Sequence, residues 1–493
     1  MLGLLSRATA NLKNPLSPAG WRPEDPVPSG FSAHKSSFAA PISSLGAFAF
    51  HSVGHYGQGT VVFERAAGAG ATADPPSYGD TVSDKPRAVG NVEIAVEART
   101  NSDGLYSDCR LQTVEGHERA GLSLTTPGAA SVARLGASVS FHITITFPAD
   151  FASLDTLNVE AARFRVVLAP SFAALEIANL EVTTSDAPII LSSVRCGRAK
   201  LHNENNLDPN KGALKNFEDL ISGSIVQAER IDLMCENGPI SGSFRASGAI
   251  VAHTTNFAIK GDFDASSLRL STTNAEMSGS FRAKRDIVMT NAHGKVEGDF
   301  HAPLGCQIKG QYVAIKGSFE VGSELKLLTS VFRIDATIRL LASSSSLASL
   351  PPVTRVETNA SSTAELPTFE DAMASSSSSG GLGVVTVVAE TTDAGVELVY
   401  ESQPAELALR SIARSSGGSK VGVTHPAGWE GRFSVSTSLT HTATLTRASA
   451  TPVGVVFDVE KRSEISGTVG TGETASRSRS VVEAEGEAEI VLR

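Results

Sequence analysis

The sequence predicts an all-β protein: a parallel β-solenoid, or β-helix, with about 19 residues per repeat, preceded by a small capping β unit. Three observations predict it. The first is a recurring word. Gly223-Ser224-Ile225, Gly242-Ser243-Phe244, Gly261-Asp262-Phe263, Gly279-Ser280-Phe281, Gly298-Asp299-Phe300 and Gly317-Ser318-Phe319 follow one another at steps of 19, 19, 18, 19 and 19 residues. A fixed step of this size marks an architecture in which each repeat buries its apolar face only against its neighbours. The second is alternation, as in Ile231/Leu233, Ile250/Ala252, Leu268/Leu270 and Ile287/Met289, which suits strands because successive side chains point to opposite faces. The third is punctuation: each apolar set is too short for a helix and is bounded by Gly, Asn or Ser. A right-handed coil is expected, since parallel crossovers overwhelmingly take that hand.

Stacking places equivalent positions about 4.8 Å apart. Phe244, Phe263, Phe281, Phe300 and Phe319 then form a buried aromatic column, and Ile240, Ile259, Met277, Val296 and Ile315 an aliphatic one. The Gly of each word fits a positive φ or a close backbone approach. Asn237, Asn256 and Asn274 are expected to turn the chain in the left-handed conformation that Asn tolerates.

The rest of the chain is organised around this stretch. Residues 1–40 carry Pro15, Pro18, Pro23, Pro26 and Pro28 and read as a disordered tail. Its opening apolar run is too short for the core of a signal peptide and no basic residue precedes it, so a cytoplasmic location is the default expectation. No stretch reaches the length of a membrane span. Residues 41–150 read as a non-repeating antiparallel sheet that caps the first repeat, with strands at Ala47–His51, Thr60–Glu64, Val89–Ala98, Gly121–Thr125 and Val139–Phe147 and a loop over 66–88. The solenoid proper is assigned to 151–340, opening with strands at Leu157–Val159, Phe164–Leu168, Leu175–Ile177 and Leu180–Val182. A polar loop around Asn203, Asn205, Asn206, Asp208 and Asn210 interrupts it. Residues 341–382, rich in Ser, read as a disordered loop. Residues 383–493 are strand-rich again and are expected to continue the solenoid, because Val387 to Val396 repeats the spacing of Leu180 to Ile189.

The words Thr184-Ser185-Asp186-Ala187-Pro188-Ile189, Thr272-Thr273-Asn274-Ala275 and Asn237-Gly238-Pro239-Ile240 resemble those of the putative-adhesin β-solenoid domains of bacteria and fungi. The resemblance covers 155–340 well and 384–493 weakly. It implies a parallel β-solenoid and no established activity.

Little in the sequence points to chemistry. Lys and Arg total 42 against 52 Asp and Glu, a net charge of −10, which argues against nucleic acid or an anionic membrane as partner. Carbohydrate-active β-helices need two carboxylates flanking a cleft, and Asp262 and Asp299, two steps apart with Ser280 between, are the candidates. Their positional equivalents are Ser224, Ser243 and Ser318, so an exposed polar turn residue is the expected identity. Trp21 and Trp429 lie outside the regular repeats and Tyr312 lies inside them. Cys109, Cys196, Cys235 and Cys306 lack metal-ligand spacing, and Cys306 and Cys235 occupy positions where burial is expected. His51 and His55 are not set on a helix. Asn359-Ala360-Ser361 is a glycosylation word inside the Ser-rich loop. No catalytic residue, no metal and no cofactor is therefore assigned, and the ligand-binding residues stay unknown. The expected function is a non-catalytic adhesion- or scaffold-type module that presents a solenoid face to a protein or glycan. The alternatives are a carbohydrate-active lyase or hydrolase and a self-assembling structural protein.

Overall fold

The computed structural model describes residues 21–43, 46–54, 57–67, 89–116, 119–127, 137–204, 220–342, 383–404, 407–438, 440–447, 455–470 and 478–492. Residues 1–20 of the expected tail, most of the 66–88 loop, Asn205 to Asn210 and the Ser-rich stretch from 343 lie outside them. The described protein is all-β with a core rich in parallel pairs, interrupted by the helix Asp103–Ser107 and the 3-10 turn Pro170–Ala174. It divides into two compact units, one of Met1–His301 with Gln307–Gly317 and one of Ala302–Cys306 with Ser318–Arg493.

In the first unit the parallel strands stack in two columns. One column runs through Ala47–Val53, Ser153–Ala162, Glu176–Ser185, residues 195–204, Arg230–Cys235, Ala249–Thr254 and residues 267–272 and 286–291. The other runs through Gly57–Arg65, Phe164–Leu168, residues 189–191, Ile221–Gln227, Ile240–Arg245 and residues 259–265 and 277–283. A rung is one strand from each column. Register is kept along each column, with irregularities confined to residues 191–195 and 265–267: Ile231, Ile250, Leu268 and Ile287 are successive partners, as are Gly223, Gly242, Gly261 and Gly279.

That register builds the expected core. Phe244, Phe263, Phe281 and Phe300 are buried, with ring centroids 5.4, 5.7 and 5.2 Å apart. Ile240, Ile259, Met277, Val296 and Ile315 are buried beside them. The glycines permit the close stacking. At Gly261, where φ is +131°, a Cβ would lie 1.9 Å from the carbonyl oxygen of Gly242, so only glycine fits.

The N-terminal half departs from expectation. Ala47–Val53 pairs in parallel with Ser153–Ala162 on one side and Arg119–Thr125 on the other, and Gly57–Arg65 is parallel to both Phe164–Leu168 and Val139–Phe147. Parallel stacking therefore begins near Ala47 rather than at 151. The antiparallel strands are fewer and lie outside these. Arg110–Gly116 covers Arg119–Thr125, Val89–Thr100 covers Val139–Phe147, and Ser32–Ser43 covers Val89–Thr100. Both columns thus end in antiparallel strands. Lys35 and Pro41 stand on the outermost one, residues that discourage further strand addition.

Residues 21–31 and residues 32–40 of the strand Ser32–Ser43 fall in the expected disordered tail; pairing with Val89–Thr100 holds the strand, and Arg99 holds the segment before it. Its guanidinium is buried and meets the Glu97 carboxylate at 3.1 Å. It also donates to the carbonyls of Arg22, Pro23, Asp25 and Pro26, while the Trp21 ring lies 3.7 Å away across it. The segment turns at residues 22–25, where the Asp25 N–H meets the Arg22 carbonyl at 2.9 Å, so that its carbonyls converge on one cation.

The second unit has two columns as well. Glu324–Leu328, Gly383–Thr391, Leu407–Ser415, Arg479–Ala484 and Gly431–Thr437 form one. Ile334–Leu340, Val396–Ser402, Val421–His425, Ala488–Leu492 and Ala443–Arg447 form the other. An antiparallel hairpin, Val455–Lys461 with Glu464–Val469, closes the first column against Gly431–Thr437. The stretch 383–493, read as strand-rich, thus includes Leu407–Ser415, Val421–His425, Ala443–Arg447 and Glu464–Val469, and its last part holds two strands, Arg479–Ala484 and Ala488–Leu492.

Three substitutions test this arrangement. Phe263→Ala should cost about 3–5 kcal/mol in urea unfolding, whereas Asp262→Ala, one residue away but exposed, should stay within about 0.5 kcal/mol. Arg99→Ala leaves the buried Glu97 with only the exposed Lys35, at 3.3 Å, and frees the carbonyls of residues 22–26; it should cost about 3–5 kcal/mol, with proteolytic nicking appearing first between residues 21 and 31.

Candidate functional site

Polar side chains organise one corner of the first unit in two parallel rows. The inner row consists of Thr184, Asn203, Cys235, Thr254, Thr272 and Asn291, which are successive register partners. All are buried. Asn203 donates to the Ala187 carbonyl at 2.6 Å, Thr254 to Gly238 at 2.9 Å, Thr272 to Phe257 at 3.1 Å and Asn291 to Ala275 at 2.7 Å. Each therefore ties its rung to the turn of the rung before. Buried carbonyls at a tight corner need such donors. Ser415 does the same in the second unit, donating to Ala394 at 2.8 Å.

The outer row lies two residues further along the chain: Asn237, Asn256, Asn274, His293 and Tyr312. The expected left-handed turn is not what these asparagines adopt. Among the described residues other than glycine, only Arg163, Asp186 and Ser193 have positive φ, so only the equivalent Asp186 behaves in that way. The asparagines instead form a ladder, with Asn256 donating to the Asn237 side-chain oxygen and Asn274 to that of Asn256, each at 2.7 Å. The row continues as rings, since His293 and Tyr312 stack at 4.8 Å and 5°. Asn274, His293 and Tyr312 are exposed. A register of about 4.8 Å brings neighbouring amides within hydrogen-bond reach, a contact that a single repeat read alone cannot reveal. A Thr two residues ahead of Asn or Asp, as in Thr254-Thr255-Asn256 and Thr272-Thr273-Asn274, was the available signal.

A shallow groove of about 690 Å³ lies elsewhere in the first unit, lined by Asp155, Glu176, Asn179, Arg195, Arg198 and Glu229 among others. Charges of both signs alternate along it, and Arg198 approaches Glu229 at 3.9 Å. Cys196 lies at its floor with its thiol pushed up to about 12 by burial, which keeps it protonated and a poor nucleophile.

The sequence-level candidates fall outside this groove. Asp262 is exposed between its register partners Ser243 and Ser280, and Asp299 is exposed as well. His51 faces Glu160 at 3.1 Å, and His55 and the Asn359 word lie outside the described residues. Cys235 and Cys306 are buried, with burial pushing both thiols up, Cys235 to about 12. Among the described residues no three His, Cys, Asp or Glu side chains gather as metal ligands would, and no helix is long and apolar enough to cross a membrane.

Trp429 belongs to the core of the second unit. It stacks at 4.0 Å on His425, whose other face meets Tyr400 at 5.3 Å. Tyr400 donates its hydroxyl to Ser411 at 2.7 Å. His425 is buried with neither ring nitrogen hydrogen-bonded, and burial pushes its pKa down to about 3. It is held neutral between two aromatic faces.

No family profile matches the chain, and no curated protein matches it. Two solved structures overlap with it. One is a "putative cell adhesion protein" from Clostridium sporogenes, at 6% identity and a TM-score of 0.15, covering 93% of this chain and 99% of that one. The other is a "putative adhesin" from Bacteroides fragilis, at 10% identity and a TM-score of 0.19, covering 62% of this chain and 97% of that one. The fold assignment rests on the strand register instead.

The buried imidazole predicts acid sensitivity. Its folded pKa lies below the unfolded value near 6.5, so its contribution to stability is complete above pH 6.5 and is lost as the pH falls toward 3. Between pH 6.5 and 4.5 that loss is on the order of 2 kcal/mol. Denaturant melts of the wild type should show the steeper pH slope, and His425→Phe should flatten it.

Proposed function

We propose that the stacked strands form a right-handed parallel β-solenoid and that the protein is a non-catalytic, adhesion-type binding module whose ligand is a glycan. The observation that carries this reading is the outer corner row of Asn237, Asn256, Asn274, His293 and Tyr312. Its five groups rise in even steps, about 19 Å over four steps of about 4.8 Å. Asn256, the internal amide of the ladder, uses one N–H and one oxygen lone pair in it, which leaves it a further N–H and lone pair. Beside the amides the imidazole and phenol, stacked on each other and exposed, add an imidazole nitrogen and a phenol hydroxyl that can hydrogen-bond sugar hydroxyls. An extended polymer with repeating hydroxyls matches such a row better than a compact small molecule does.

Supporting the non-catalytic part, the carboxylates of Asp262 and Asp299 are exposed to water. Lys200 with Glu181 at 2.6 Å, and Arg230 with Asp232 at 2.8 Å, pair carboxylates with cations on the surface, as a stable scaffold does.

A glycan array followed by calorimetry tests the proposal. Wild-type protein should bind an extended glycan, and the double variant His293→Ala/Tyr312→Ala should bind at least about tenfold more weakly with its Tm within a few degrees of the wild type. Unchanged affinity in that variant would move the ligand off the corner. Turnover of any glycan, abolished by Asp262→Asn with Asp299→Asn, would replace the reading with an enzymatic one.

A further inference from the structure

In the second unit the rungs do not stack in chain order. Leu407–Ser415 with Val421–His425 makes one rung, and Gly431–Thr437 with Ala443–Arg447 makes another. Between them lies a rung that comes later in the chain, Arg479–Ala484 with Ala488–Leu492, parallel to both neighbours in both columns. Val482 has Ala413 on one side and Val435 on the other, and Ile490 lies between Val423 and Leu445. Val482 and Ile490 are fully buried. Ion pairs and hydrogen bonds tie the inserted rung to both sides: Glu483 takes Arg414 at 2.6 Å, and Glu489 takes Lys420 and Thr446, each at 2.7 Å.

This order means that the 431–447 rung leaves a gap one rung wide until residues 479–492 enter it. The empty gap would expose two unpaired strand edges in each column, a strong template for any strand of the right register. We infer that the gap is an acceptor site for a parallel two-strand rung, and that a second copy of this chain fills it by donating its own residues 479–492. The contacts made are the same whether the rung arrives from its own chain or from another. The balance between the two is set by the tether over 470–478, which raises the local concentration of its own rung to roughly the millimolar range for a short linker. Exchange is therefore a property of concentrated or surface-crowded protein, where closed and exchanged forms share every rung interface. The inference is independent of the ligand proposed for the corner row.

Cross-linking between full-length copies tests it. Register partners in adjacent strands have Cα atoms about 4.8 Å apart, within disulfide range. Arg414 and Glu483 are such partners, and both are partly exposed. A tagged copy with Arg414→Cys and an untagged copy with Glu483→Cys, both carrying Cys109→Ser, are refolded together at increasing concentration and oxidised with glutathione disulfide. The expected product is a tag-captured, disulfide-linked heterodimer whose yield rises with concentration. A single chain carrying both cysteines should close its own disulfide when refolded dilute. Closure in that chain with no heterodimer at any concentration overturns exchange. Failure to close in a folded chain overturns the rung order and the inference with it. Thr424→Cys and Val491→Cys, partners in the other column, repeat the measurement where a first-column variant does not fold.

Discussion

Each rung of the first unit follows the backbone path of the one beside it at the shortest distance two strands can take. Gly223, Gly242, Gly261 and Gly279 meet the carbonyl of the rung before so closely that no side chain could stand there. That approach brings Phe244, Phe263, Phe281 and Phe300 into a continuous stack. The two columns enforce each other. A slip of one residue would bring the Asp262 position inward and turn the Phe263 position toward water, so register is strongly specified wherever the Phe column is buried.

Corners impose the opposite problem, because a tight turn leaves carbonyls pointing inward. Asn203, Thr254, Thr272 and Asn291 answer it, each with a side-chain donor reaching back to the turn of the previous rung. The interior hydrogen bonds thereby add to the lateral strand pairing, and the outer amide ladder adds a further set on the surface. The arrangement leaves the side-chain oxygens of Asn203 and Asn291 without a protein partner. Burying them has a cost that the rung-to-rung donors offset.

Stack ends are handled differently in the two units. In the first, antiparallel strands and the segment gathered around Arg99 close both columns at the N-terminal side. In the second, a hairpin covers one column and a later rung is inserted below the last. Backbone edges accept any strand of suitable register, so closure depends on which segment reaches an edge and remains there.

Much of the parallel, strand-rich core was legible in the sequence, because its information is local and recurs. The Gly-x-Phe word, the aliphatic position before it and the burial of Cys306 each follow from a short window compared with itself, and strands such as Val139–Phe147 and Phe164–Leu168 carry plain alternation. Part of the candidate site was legible too: Asn237, Asn256 and Asn274 stood out as a row, but their ladder and its continuation through His293 and Tyr312 needed the distance between rungs. Pairing across long separations was not legible. Nothing near Ser32 names Val89–Thr100 as its partner, nothing near Pro23 shows that its carbonyl meets Arg99, and nothing in 479–492 states that it enters between two earlier rungs. The sequence by itself determined the period and which side chains face the core, since those are set by residue type at each step. The tertiary structure alone decided which edges meet, since a strand edge is a row of backbone N–H and C=O groups that bears no residue label.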